Sequence, residues 1–314
     1  PGVLFARRAQ AEARAVRAVL EDAGAGPARL GVLLEVEEDW VTGLESVVLR
    51  VQDNAARPLT DAQFAVIEQA FLDHLVLVFR DQPITDEQQL AFASRFGELE
   101  GHINAPTRHK TYEKVQVFSN VKEDGTTLGV HPEKGTLVWH TDKSYVAEPS
   151  LTTILRSPEI AKEGGDTLFA DCRTAYDELD AATKDRIAGL KAVHSWKRSR
   201  EKVGEKPATA EQIAAAPPVE HPIVRTHPVT GRKAIYVGSH TSHVAGMDEA
   251  AGVALIAELE RHATQDKYVY RHKWRRDDVL MWDNRCTMHC VTPYDAVKEK
   301  RAIHRVVVKG DRPV

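Results

Sequence analysis

The chain has 314 residues, 42% of them hydrophobic, which suits one large domain or two small ones with a sizeable core. A formal net charge of -4 excludes the broad basic excess of a general nucleic-acid binder, so no nucleic acid is expected as a partner. Three cysteines, Cys172, Cys286 and Cys290, form an odd, irregularly spaced set, which argues against a disulfide framework and for a reducing, cytoplasmic compartment. No apolar run approaches the roughly 20 residues that cross a bilayer, so no membrane span is expected.

Residues 1 to 40 read as an N-terminal helical extension, with an Ala-rich helix over 7–23 that stops at Gly24-Ala25-Gly26-Pro27. The early arginines superficially resemble an organelle transit peptide, but an amphipathic helix is the simpler reading. Residues 41 to 314 form the main domain. It opens with alternation at Val47, Leu49 and Val51, then a helix capped by Thr60 and carrying Phe64, Ile67, Ala70 and Phe71. His74 to Phe79 is a buried strand, and Thr85-Asp86-Glu87-Gln88 is a capping box opening a helix through Phe96. Residues 98–136 read as loops and short strands.

Further on, Leu151 to Leu155 is β-rich, and Gly164-Gly165-Asp166-Thr167 turns into a strand at Leu168 to Ala170. Two short helices fit 173–190. The stretch 197–218 is charged, then Ala-rich, then Pro-Pro; it is either a mobile lid or a solvated loop. The last third carries short strands at 223–224 and 234–237, a helix over 248–262, and strands over 267–274, 278–283 and 302–309. Short strands with long connections, and helices gathered near the start, predict a mainly β fold with flanking helices and a jelly-roll core.

The chemistry gathers on Trp139-His140-Thr141-Asp142, which aromatic and β-branched neighbours place on a strand. On a strand, residues i and i+2 share a face, so His140 and Asp142 can serve one metal ion, with His289 as a third ligand from another strand. Two histidines and a carboxylate with one side open suit non-haem Fe(II). His131-Pro132-Glu133 has a similar spacing, but Pro132 interrupts a strand. Cys286 and Cys290 flank His289 and raise a zinc alternative, although buried small side chains are the simpler reading. Arg301 and Arg305, four apart on a terminal strand, can each clamp a carboxylate on one face.

With these residues in view, the chain resembles the Fe(II)/2-oxoglutarate-dependent dioxygenases of the taurine dioxygenase and 2,4-dichlorophenoxyacetate dioxygenase group. The likeness runs from about Leu59 to Asp311, through LVFRDQPITDEQQLAFASRFGELE (77 to 100), WHTD (139 to 142), GGDT (164 to 167), YDEL (176 to 179), MWDNRCTMH (281 to 289) and RAIHR (301 to 305). It implies a double-stranded β-helix and the cofactors Fe(II), 2-oxoglutarate and O2. It also makes His140, Asp142 and His289 the catalytic metal ligands, with Thr167 and Arg301 on the distal carboxylate of 2-oxoglutarate and His102 and Arg305 on substrate.

The implied activity is hydroxylation of a C–H bond in a small anionic organic substrate, releasing succinate and CO2, by an enzyme that works as a homo-oligomer. Residues 224–290 resemble the aryloxyacetate enzymes, whereas His102 and the His304-Arg305 ending resemble the taurine enzymes. The tail Lys143-Ser144-Tyr145 matches neither; Lys143 either adds positive charge at the mouth or is an ordinary exposed lysine. An aryloxyalkanoate-like or other carboxylate substrate is therefore expected, with a taurine, alkylsulfonate or sulfate-ester dioxygenase as the second reading. A non-catalytic metal-binding jelly-roll protein and a zinc hydrolase are readings of other classes.

Overall fold

A computed structural model describes residues 59–101 and 107–314, together with the backbone of 32–38 and 45–51. The helix expected over 7–23 and His102 lie outside the described residues. Val32–Glu38 (β1), inside the expected helical extension, is instead a strand paired antiparallel with Glu45–Val51 (β2). Its alternation of Leu34 and Val36 with Glu35 and Glu37 has the period of a strand.

Asp61–His74 (α1) and Asp86–Ser94 (α2) each begin with a reciprocal capping box, Thr60 with Gln63 and Thr85 with Gln88. Between them Leu75, at φ 66°, ends the first helix and starts Val76–Phe79 (β3); His74, expected in the strand, belongs to the helix. The chain continues through Leu99–Glu100 (β4), Val115–Ser119 (β5), Ser150–Glu159 (β6), Thr167–Asp171 (β7), Cys172–Asp177 (α3), Ala181–Ile187 (α4) and Lys191–His194 (β8). Trp196–Lys202 (α5), Ala210–Ala215 (α6), Val219–Pro222 (β9), Val224–Thr226 (β10), Lys233–Ile235 (β11), Thr241–Val244 (β12) and Glu249–Ala263 (α7) follow. Val269–His272 (β13), Val279–Asp283 (β14), Thr287–Val291 (β15) and Ala302–Lys309 (β16) complete it.

One large sheet runs β1-β2-β3-β14-β6-β16-β4, with β5 also on β16, and a smaller sheet runs β13-β7-β15. Apart from β2 against β3, the described pairings in the two sheets are antiparallel. The strand period sorts the side chains of the large sheet. Val279 and Met281 of β14, with Ile154, Val306 and Val308, pack under α1 and α2. Leu280 and Trp282, with Leu155 and Ile303, face Phe169 and Met288 of the smaller sheet. Two sheets, antiparallel except for β2 against β3, close on a shared core with helices outside and form the jelly roll expected from the sequence.

The same period orients β16 for function. Arg301, Ile303 and Arg305 point between the sheets, where they line one cavity. His304 points the other way, to Asp86 at 2.5 Å, and Asp86 also binds Arg156 at 2.6 Å. Those partners outweigh partial burial and hold the Asp86 carboxyl down at about 2.

Candidate metal centre and co-substrate pocket

His140, Asp142 and His289 meet in the mouth between the sheets, each buried, with their ligand atoms within 4.8 Å of one another. The His140 and His289 Nε2 atoms lie 3.8 and 3.7 Å from the two Asp142 oxygens, too far for hydrogen bonds. The His-x-Asp segment is not on a regular strand. His140 makes one antiparallel bridge with His289: its N–H donates to the His289 carbonyl at 3.0 Å, and its carbonyl accepts from the His289 N–H at 2.8 Å. A turn then begins at Asp142, and Lys143 takes φ 55°. The bridge is long enough to fix the two imidazoles side by side, with centroids 4.2 Å apart, and the turn swings Asp142 across them.

Hydrogen bonds set the chemistry of each group. His140 Nδ1–H donates to the Val138 carbonyl at 2.8 Å, which leaves the Nε2 lone pair facing the gap. Burial, the largest influence on both rings, lowers the His140 and His289 pKa values and keeps the imidazoles neutral, the form that binds metal. Burial would raise the Asp142 carboxyl. Arg305 at 2.8 Å, the two imidazoles and the Thr153 hydroxyl at 2.5 Å instead hold it below the ordinary carboxylate range. Asn284 steadies both: its amide donates to Thr153 Oγ1 at 3.0 Å, and its carbonyl accepts from Trp282 Nε1 at 2.9 Å. Two neutral imidazoles and one ionised carboxylate, with no proton bridging them, fit a divalent cation such as Fe(II).

Thr167 and Arg301 line the same cavity. Arg301 is buried, and no described carboxylate pairs with its guanidinium; Asp166 is held by Arg271 at 2.7 Å. Burial pulls the Arg301 pKa down to about 10 against the smaller pull of Tyr294 and Asp166, so the group stays charged at neutral pH and lacks an anion. The Gly-Gly pair shapes the wall beside Arg301. Gly165, at φ 69°, would bring a β-carbon within 3.1 Å of the Arg301 side chain, and one on Gly164 would lie 2.3 Å from the Pro293 carbonyl. Thr167 Oγ1 accepts from Trp274 Nε1 at 3.0 Å, so its own proton is directed elsewhere. Trp274 was missed in the sequence, where a tryptophan among Arg271, Lys273, Arg275 and Arg276 is the available signal.

Arg305 holds Asp142 and donates to Gln116 Oε1 at 3.1 Å. Lys143 is buried rather than exposed; its left-handed turn carries the ammonium to Glu100 at 2.8 Å. Tyr145 packs against Trp196 and His240, with its hydroxyl buried and without a partner among the described residues. The segment 197–218 contributes Ser199, Arg200, Val203 and Glu205 to the cavity wall, and Glu205 accepts from the Lys134 backbone at 3.3 Å. Cys172, Cys286 and Cys290 are buried free thiols, and the metal-like cluster at His289 includes none of them.

Residues 42–307 match the family model described as taurine catabolism dioxygenase TauD, TfdA family. The chain belongs to this TauD/TfdA family. It is 37% identical, over 88% of its own length and 96% of the relative's, to the alpha-ketoglutarate-dependent 2,4-dichlorophenoxyacetate dioxygenase of Cupriavidus pinatubonensis. It is 31% identical to an alpha-ketoglutarate-dependent sulfate ester dioxygenase of Pseudomonas putida, over 82% of this chain and 84% of that protein. Among solved structures, AAD-2 in complex with Mn(II) and N-oxalylglycine superposes with a TM-score of 0.77 at 36% identity, covering 90% of this chain and 99% of that one.

Proposed function

We propose that His140, Asp142 and His289 hold Fe(II), that Arg301 and Thr167 hold the distal carboxylate of 2-oxoglutarate, and that the cavity beyond them takes an aryloxyalkanoate-like carboxylate. The protein is a 2-oxoglutarate-dependent dioxygenase that hydroxylates a small anionic substrate. The observation that carries the site assignment is the buried Arg301, paired with no carboxylate among the described residues, in the same cavity as a histidine-carboxylate gap.

Iron, 2-oxoglutarate and O2 together supply the oxidising power that replaces a substrate C–H with C–OH, with succinate and CO2 as co-products. The chain's own part is placement. Val138 and Thr153 fix the His140 tautomer and the Asp142 carboxylate before anything binds. Arg301 donates a guanidinium fork and Thr167 a single O–H, so the co-substrate enters in one orientation. Arg305 keeps Asp142 ionised and puts positive charge beside the position of an anionic substrate. Phe118, Trp196 and Tyr145 offer aromatic faces to a ring and exclude water around the reacting C–H.

The carboxylate reading is favoured over the taurine-type reading because His304, half of the taurine-like ending, turns to Asp86 outside the cavity. The deciding experiment is an anaerobic titration of Fe(II)-loaded protein with 2-oxoglutarate, following the visible charge-transfer band, with phenoxyacetates and then alkylsulfonates added. The expected result is a band that shifts with the phenoxyacetates. A shift with sulfonates alone would reverse the substrate choice, and a metal-loaded protein with no band would overturn the site.

A further inference from the structure

The Arg301 end of the cavity holds a donor that neither metal nor substrate chemistry has used. His131 lines the same cavity as Arg301 and Thr167. Its ring packs on Tyr294 with centroids 5.3 Å apart, and the Arg301 guanidinium carbon lies 5.9 Å from that same Tyr294 ring. His131 Nδ1 accepts from the Glu133 backbone N–H at 3.3 Å, which assigns the proton to Nε2. That Nε2–H is buried and has no acceptor among the described residues. Burial, and then the charge of Arg301, bring the His131 pKa down to about 4, so this neutral tautomer persists through the physiological range.

Guanidinium, hydroxyl and imidazole N–H therefore line one cavity, with His131 and Arg301 both flanking Tyr294. Asp166, the carboxylate whose charge Arg301 feels, is already committed to Arg271. A carboxylate offers about four lone-pair sites. The Arg301 fork takes two and Thr167 one, which leaves one for an imidazole N–H. We propose that His131, through Nε2–H, is the third donor to the distal carboxylate of the 2-oxo acid. This inference rests on the assignment of Arg301 and Thr167 to that carboxylate.

The test compares two acids on anaerobic Fe(II)-loaded full-length protein, by calorimetry and by the charge-transfer band. 2-Oxoglutarate carries the distal carboxylate; pyruvate keeps the 2-oxo acid head and lacks it. His131→Phe retains a ring and removes the donor. It is expected to weaken 2-oxoglutarate binding about ten-fold and to leave pyruvate binding unchanged, which also shows that the variant is folded. His131→Gln restores an N–H and should recover most of the loss. Equal 2-oxoglutarate affinity in wild type and His131→Phe would overturn the proposal, as would an equal loss for both acids or a loss confined to the substrate KM. Arg301→Met run alongside separates the two levels. If it loses 2-oxoglutarate while His131→Phe does not, only the role of His131 fails; if it binds 2-oxoglutarate like wild type, the carboxylate site fails and the role of His131 with it.

Discussion

Among the described residues, two buried clusters have the composition of a metal site, His140 with Asp142 and His289, and His227 with Asp283 and Cys286. In the second, every strong acceptor is spent. Asp283 Oδ1 accepts from the Arg285 backbone at 2.9 Å and from Arg285 Nε at 2.8 Å, and Oδ2 accepts from Arg285 Nη2 at 2.6 Å and His227 Nε2 at 3.0 Å. His227 Nδ1 is taken by the Val229 and Thr230 N–H groups at 3.2 and 3.1 Å, and burial pushes the Cys286 thiol far up. In the first cluster the imidazoles stand 3.7 and 3.8 Å from the carboxylate with no proton between them, and the gap opens on a cavity. Both sets place a buried aspartate and a histidine within 4.8 Å, with a cysteine in the second where the first has another histidine. What separates a ligand set from a structural knot is whether the lone pairs are already used.

That contrast can be broken at either cluster. Asp142→Ala is expected to abolish 2-oxoglutarate-dependent succinate formation and the rise in Tm that Fe(II) or Mn(II) gives the wild type; full turnover in this variant would remove Asp142 from the metal site. Asp283→Asn should act in the opposite sense. It strands Arg285 in a buried position and is expected to cost about 3–5 kcal/mol of stability, read by denaturant unfolding. The folded fraction should still gain Tm from metal as the wild type does. A metal response lost in Asp283→Asn, with stability intact, would make the second cluster a binding site after all.

The sequence carried the fold well where period and capping agree. Thr85 with Gln88, the β6 and β14 runs and the inward face of Arg301 and Arg305 all read directly, because each depends on neighbours a few positions apart. It carried the histidine-carboxylate cluster through the i, i+2 rule, although the segment proved to be a single bridge entering a turn. What brings Asp142 across the imidazoles is that turn, not a shared strand face. Three things depended on distant partners and were not legible. Lys143 looked exposed because nothing near it names Glu100 as its partner. The taurine-like His304-Arg305 ending does not reveal that His304 turns to Asp86, because that partner lies far back in the chain. Pro132 argues against a strand at His131, but not against a loop donor there.

The smallest expected effect concerns Trp274, which touches neither metal nor, on this reading, co-substrate. Its indole N–H occupies one acceptor site on Thr167 Oγ1 at 3.0 Å and so steers the Thr167 proton toward the Arg301 end of the cavity. Trp274→Phe removes that donor and keeps the ring that meets His272 edge-on at 4.7 Å. Loss of one neutral hydrogen bond is about 0.5–1.5 kcal/mol, a few-fold in affinity. The 2-oxoglutarate KM should therefore rise a few-fold, with the substrate KM unchanged. A double-mutant cycle tells steering from bulk packing, because in a Thr167→Val background there is no hydroxyl left to steer. Trp274→Phe should then have no further effect on the 2-oxoglutarate KM. An undiminished effect in that background would mean that Trp274 acts through the wall of the smaller sheet, and the open hydroxyl of Thr167 would need another cause.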